Sequence, residues 1–217
     1  MTFKKQDSRQ SPDKSVPNWY YEAQMGAKLV VGVDEAGRGP LAGPVVAAAV
    51  ILDSDNIPDG LNDSKKLSES KRKTLFDIIM DCADVGIGIA EPEEIDRINI
   101  LQATMAAMQR AVADLPVIPD AVLIDGNRCP EFAIPVRAIV KGDAKSLSIA
   151  AASIIAKTFR DKLMIEADHR FPGYGHARHK GYPTKAHRKA LEEIGASPIH
   201  RWSYGPVRDA VRDALPR

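Results

Sequence analysis

The chain has 217 residues, 44% of them hydrophobic, with 30 Lys and Arg against 29 Asp and Glu. That length and apolar content suit one medium domain with a real core and a small appendage. The best apolar run, Val45–Leu52, is far too short to span a bilayer, and Met1–Pro17 is polar with no apolar signal core, so a soluble cytoplasmic protein is expected. Two cysteines, Cys82 and Cys129, sit in unrelated contexts, which argues against a disulfide framework or a zinc site and for reduced thiols.

In chain order, residues 1–17 read as a disordered tail, rich in Lys, Ser, Asp and Gln. Leu29–Val33 and Val45–Leu52 are β-branched or small apolar runs joined by the Gly/Pro-rich link Gly37–Pro44, which predicts a hairpin. After a polar loop over Asp53–Ser68, the residues Leu75, Ile78, Ile79 and Cys82 recur at helical spacing, with Ser68 or Ser70 as N-cap. Val85, Ile87 and Ile89 alternate with small residues as a third strand, and Pro92 suits the first turn of a helix. Ile98–Leu115 reads as a long amphipathic helix with Leu101, Met105, Met108 and Val112 packed toward the core and Pro116 as its stop.

Strands follow over Ala121–Ile124 and Ile134–Val140, and then a helix over Ser146–His169 whose apolar first half should be buried. This order implies an α/β fold with a mixed five-stranded sheet flanked by helices over residues 18–170. Short helices over Thr184–Ile194 and Val207–Ala214 would form a C-terminal helical extension within residues 171–217.

Net charge is only +1, but it is unevenly spread. Between Val136 and Lys189 lie twelve Lys/Arg against four Asp/Glu, together with His169, His176, His179 and His187. That stretch looks built to face a polyanion, with the histidines on the nucleic-acid side. His176-x-x-His179 has ligand-like spacing but lacks the cysteine pair or the helical frame of a zinc motif.

The acids carry the chemistry. Asp34 and Glu35 end the first apolar run, Asp125 ends the run Ala121–Ile124, and Asp143 lies just beyond Ile139–Val140. In open α/β sheets, ligands collect outside the carboxyl ends of strands, so these four carboxylates are expected to converge. Close carboxylates repel unless a cation sits among them. All four are hard oxygen donors, which points to Mg²⁺ or Mn²⁺, and two such ions are the usual device for phosphodiester chemistry. Gly37-Arg38-Gly39 lacks the features of a P-loop or dinucleotide fingerprint and reads better as backbone approaching a ligand closely, with an arginine beside it, although its spacing equally suits a plain turn. Lys65, in Asp63-Ser64-Lys65-Lys66, reads either as a phosphate contact or as a solvated loop lysine, and Tyr182, in a Gly/Pro-rich loop, either as a ring stacked on a sugar or base or as one packed against the C-terminal helices.

Taken together, Asp34-Glu35-Ala36-Gly37-Arg38-Gly39-Pro40, Asp63-Ser64-Lys65, Asp125-Gly126, Lys141-Gly142-Asp143 with Ser148–Ser153, and Gly181-Tyr182-Pro183-Thr184 with His187 resemble bacterial ribonuclease HII. The match runs in order from Lys28 to Pro206. The resemblance implies a ribonuclease H-like fold and cleavage of RNA in RNA–DNA hybrids, including single ribonucleotides embedded in duplex DNA. It implies Asp34, Glu35, Asp125 and Asp143 as metal-binding catalytic acids. It assigns Gly37, Arg38 and Gly39 to the 2′-OH and phosphates around the ribonucleotide, and Tyr182 to the junction sensor.

The residues alone leave two other readings open. One is a different nuclease on the same fold, against which Gly37-Arg38-Gly39 and Tyr182 argue; the other is a non-catalytic nucleic-acid-binding module. A monomer is expected, and the sequence offers no recognisable partner-binding tail.

Overall fold

The computed structural model describes residues 16–214. Most of the segment for which disorder is expected, residues 1–15, therefore lies outside the described residues. Five strands form one sheet: β1 (Val30–Ala36), β2 (Val45–Ile51), β3 (Asp84–Ala90), β4 (Ala121–Asp125) and β5 (Val136–Ile139). Their order is β3-β2-β1-β4-β5. β1–β2 and β2–β3 pair antiparallel, as a hairpin and its extension require, whereas β1–β4 and β4–β5 pair parallel. The sheet is mixed, as the alternation of elements predicts.

Seven helices, numbered in chain order, surround it among the described residues: α1 (Tyr20–Gln24), α2 (Glu69–Cys82), α3 (Pro92–Ala113), α4 (Leu147–Arg170), α5 (His176–His179), α6 (Lys185–Ile194) and α7 (Gly205–Ala214). Ser68, Ser146 and Thr184 cap α2, α4 and α6 by accepting from Lys71 N, Ile149 N and His187 N. α3 covers one face of the sheet, where Val31, Val33, Val45, Ala47, Val122 and Ile124 are buried against it. α2 and α4 cover the other, against Ala48, Val50 and Leu52. β2 is buried on both faces along its whole length, so it reads as a continuous apolar run without alternation.

Three details depart from the sequence reading. α3 begins at Pro92 and runs through a break at Asn99 (φ 67°, ψ 162°), whose side chain accepts from Leu101 N and Gln102 N and so restarts the helix. The expected core stripe of that helix is split. Ala103, Ala107, Met108 and Ala111 are buried, Met105 and Val112 are partly buried, and Leu101 and Met105 line a surface cavity. The small alanines let the helix sit close on the sheet, and of the four expected bulky side chains only Met108 stays buried. α1, a single turn that no periodicity announces, is anchored by buried Glu22, which accepts from Ser146 Oγ (2.6 Å), Ser148 N (2.9 Å) and Ser148 Oγ (2.5 Å) at the N-terminus of α4.

α4 fixes the site's depth. It approaches β1 so closely that a Cβ on Gly32 would lie 2.2 Å from the Ser148 carbonyl carbon, so only glycine fits there. The chain after α4 folds back onto the Gly37–Pro44 link through Leu41 N→Gly181 O (2.8 Å), Gly43 N→Ile199 O (2.9 Å) and Arg201 N→Leu41 O (2.8 Å).

Candidate active site

β1 and β4 are parallel neighbours with Val33 opposite Ile124, so their next residues, Asp34 and Asp125, emerge side by side at the same sheet edge. Asp143 joins them from a 3-10 turn (Gly142–Ala144) that follows β5. Ligand-capable oxygens of Asp34, Asp125 and Asp143 lie within 4.8 Å of one another. Asp34 Oδ1 accepts from Glu35 N (2.7 Å) and Asp125 Oδ1 accepts from Gly142 N (2.6 Å), which fixes both carboxylates.

Glu35 does not join that cluster of three. The pleat of β1 puts it on the α3 side with Val31 and Val33, opposite Asp34. There it accepts from Arg38 Nη1 at 3.3 Å, and with Arg38 and Asp125 it lines a cavity of about 240 Å³ walled by Leu101 and Met105. Three of the four expected acids therefore converge directly, and the fourth flanks them across the strand.

Crowding and burial mark the electrostatics. Burial, then Glu35 and Asp125, push Asp34 well above the usual carboxylate range. Burial also raises Glu35, with Arg38 opposing, and raises Asp143, with Asp125 adding and Lys65 opposing. Lys65 Nζ lies 3.4 Å from Asp143 Oδ2; burial pulls its pKa down, but Asp143, Asp34 and Asp63 outweigh that and raise it. Glu35 Oε2 is buried with no donor. Three clustered carboxylates, flanked across the strand by Glu35 with its orphaned buried oxygen, fit a hard divalent cation, and the set contains no nitrogen or sulfur ligand.

The Gly37–Gly39 loop adjoins the acids. Gly37 has φ +96°, and a Cβ there would meet Arg160 Nε at 2.0 Å, so glycine is required. Arg38 and Gly39 are exposed. A Cβ on Gly39 would lie 3.6 Å from Tyr182 Cε1, which puts the tyrosine ring, 44% exposed, directly over the loop.

Two of the four histidines of the basic stretch lie elsewhere than expected, while His169 is exposed and His179 half-buried. His176 and His187, together with His200, are wholly buried rather than on the nucleic-acid face. Their ring nitrogens come within 4.8 Å, a spacing that would suit a metal. The hydrogen bonds assign the protons differently. Ser197 N donates to His200 Nδ1 (2.9 Å), so His200 carries its proton on Nε2 and donates to His187 Nε2 (3.0 Å). His187 Nδ1 in turn donates to the Tyr182 carbonyl (3.0 Å). The relay uses the His187 and His200 lone pairs that a metal would need, leaves those of His176 unused, and props the Tyr182 backbone instead. Arg160, counted in the basic stretch, is also buried and cannot face a polyanion.

Sequence reasoning missed Arg160 and Arg201, both buried beneath the loop. Arg160 donates to the carbonyls of Pro44, Lys180 and Ala42, and Arg201 to those of Gly37, Arg38 and Gly43. An arginine in a helix or a polar loop carries no local signal of burial.

The family model described as Ribonuclease HII matches residues 31–207. The ribonuclease HII of Maricaulis maris is 66% identical over 192 residues, 88% of each chain, and that of Parvibaculum lavamentivorans is 53% identical over 215 residues, 98% of this chain and 80% of the relative. Among solved structures, ribonuclease H2 from Pyrococcus horikoshii OT3 superposes with TM-score 0.72 at 29% identity, covering 86% of this chain and 98% of that one. Bst-RNase HIII in complex with Mn²⁺ shares the fold, with TM-score 0.66 at 21% identity, covering 91% of this chain and 74% of that one. The chain belongs to the ribonuclease HII family, and is therefore an endoribonuclease with ribonuclease H activity on RNA–DNA hybrids.

Proposed function

We propose that this endoribonuclease is metal-dependent and cuts both the RNA strand of hybrids and single ribonucleotides embedded in duplex DNA, leaving 3′-OH and 5′-phosphate ends. The observation that carries this is the convergence of Asp34, Asp125 and Asp143 within 4.8 Å beside a glycine loop overlain by Tyr182. Asp34, Asp125 and Asp143, with Glu35 across the strand, would hold Mg²⁺ or Mn²⁺. A pair of such ions would activate water and neutralise the leaving oxygen.

The protein's own residues supply position and selectivity. In this reading the Gly37, Arg38 and Gly39 backbone and the Tyr182 ring hold the ribonucleotide, and hydrogen bonds to its 2′-OH distinguish RNA from DNA. Water attacks the phosphorus on the 5′ side of the ribonucleotide. The bond to the upstream O3′ breaks, and that oxygen leaves as the 3′-OH. The 2′-OH is read and takes no covalent part. Exposed Lys65, beside Asp143, is placed to contact a phosphate, and the remaining basic residues between Val136 and Lys189 position the duplex without reading sequence. The protein acts on its nucleic-acid substrate as a monomer.

The support for a nuclease over a passive binding module is the destabilising concentration of carboxylates, which a nucleic-acid-binding surface would avoid. The test is incubation of a DNA duplex carrying one ribonucleotide with and without Mg²⁺. Metal-dependent nicking on the 5′ side of the ribonucleotide is expected; binding without nicking would overturn the reading.

A further inference from the structure

Arg201 is fully buried, and among the described residues no carboxylate pairs with it. A buried charge without a counterion is costly unless its donors are satisfied. Here the acceptors come mainly from the substrate loop and its return. Nε donates to Gly43 O (3.0 Å), Nη2 to Gly37 O (2.5 Å) and Gly43 O (2.8 Å), and Nη1 to Arg38 O (2.9 Å) and Tyr204 Oη (3.1 Å). Tyr204 Oη donates to the same Arg38 carbonyl at 2.8 Å.

Those contacts set the direction of two amides. There is no cis peptide bond among the described residues, so within each peptide unit the N–H points opposite to the C=O. Drawing the Gly37 carbonyl inward turns the Arg38 N–H outward, and drawing the Arg38 carbonyl inward turns the Gly39 N–H outward. Neither amide has a hydrogen-bond partner among the described residues, and both residues are exposed. Consecutive outward amides above a buried cation form a site for an acceptor oxygen such as a sugar hydroxyl or a phosphate.

We infer that Arg201, with Tyr204, is a positioning residue for ribonucleotide selectivity: it aims the Arg38 and Gly39 amides at the substrate without touching it. The inference rests on the proposed role of the Gly37–Gly39 loop. The guanidinium's fork shape matters as well as its charge, since it reaches three carbonyls at once, which an ammonium cannot do in the same geometry.

The test is the ratio of dissociation constants for two duplexes of one sequence, all-DNA and carrying a single ribonucleotide. It is measured in EDTA so that nothing is cut, for wild type, Tyr204→Phe and Arg201→Lys. Tyr204→Phe keeps the ring and removes the hydroxyl's bonds to Arg38 O and from Arg201 Nη1, so the preference for the ribonucleotide should fall about two- to tenfold, with all-DNA binding and melting temperature nearly unchanged. Arg201→Lys should lower the preference further. If Arg201→Lys fails to fold, Tyr204→Phe alone decides. Undiminished preference in the variants, with wild type selective, would overturn the inference and leave the loop's role standing; a wild type with no preference would overturn the loop's role and the inference with it.

Discussion

Asp34 and Asp125 stand one residue beyond the Val33–Ile124 pair at the same end of two parallel strands, so the sheet itself forces their carboxylates together. Neither can move apart without breaking the register of β1 and β4. Burial and the neighbouring acids raise the Asp34 pKa well above 3.8 in the metal-free fold. A raised folded value means that this group's contribution to stability is present below about 3.8 and is lost as pH rises through its folded pKa. Asp34→Asn should therefore melt higher than wild type at pH 7–8 in EDTA, by about 2–4 °C for each kcal/mol of repulsion removed. The difference should vanish near pH 3.8, and calorimetry across that range checks it.

Tyr182 lies over Gly39 with its ring 44% exposed, and its backbone is held by His187 Nδ1. Tyr182→Phe keeps the ring, whereas Tyr182→Ala removes it and, under the proposed role, forfeits a stacking interaction of ~1–3 kcal/mol. On the single-ribonucleotide duplex, Ala should cost clearly more in kcat/KM than Phe, with circular dichroism and Tm little changed. An Ala variant as fast as wild type would remove Tyr182 from the site.

The buried histidines make the fold sensitive to acid. Burial, then His187 and His179, lower the His176 pKa from 6.5 to about 4, and burial, then His187 and His176, lower that of His200 to about 3. A depressed folded value leaves these contributions intact above about 6.5 and removes them as pH falls toward 4. Both His176 ring nitrogens lack partners, so His176→Leu removes a titrating group without breaking a hydrogen bond. Urea unfolding should show wild type losing stability between pH 6.5 and 5, with His176 accounting for roughly 1–2 kcal/mol of the loss and the variant correspondingly flatter.

Lys141 and Lys185 are exposed within the basic stretch. If both meet phosphates, replacing them with Gln should lower the slope of log Kd against log salt by about 0.9 each and weaken ribonucleotide-containing and all-DNA duplexes alike. An unchanged slope would place the electrostatic footprint on another face.

Much of this architecture is legible because its signals are local. Val30–Val33 and Ala121–Ile124 announce buried strands, and an acid at the end of each marks a sheet edge whatever lies beyond. The convergence of Asp34 with Asp125 needs only the parallel pairing that an intervening helix supplies. What stayed hidden depends on contacts distant in sequence. Arg201 is buried because a loop more than 150 residues earlier offers it carbonyls, as its bond to Gly37 shows. Its sequence neighbourhood, polar and close to a proline, reads as surface. The same holds for His187 and His200, whose rings meet only when α6 packs beside the Ser197–His200 turn, and for α1, which exists because Glu22 caps a helix 124 residues away at Ser146. Glu35 was separable from Asp34 in principle, since the strand pleat sends adjacent residues to opposite faces.

In the proposed mechanism the acid cluster performs metal-dependent cleavage at a ribonucleotide. Its most direct test is the single-turnover nicking rate of Asp125→Asn on a DNA duplex carrying one ribonucleotide, in saturating Mg²⁺ or Mn²⁺, with binding to the same duplex measured in parallel. Wild type should nick on the 5′ side of the ribonucleotide, and Asp125→Asn should bind the duplex but lose nicking by at least ~10³-fold, as expected when an interaction used in the transition state is removed. Full nicking by Asp125→Asn would contradict that mechanism.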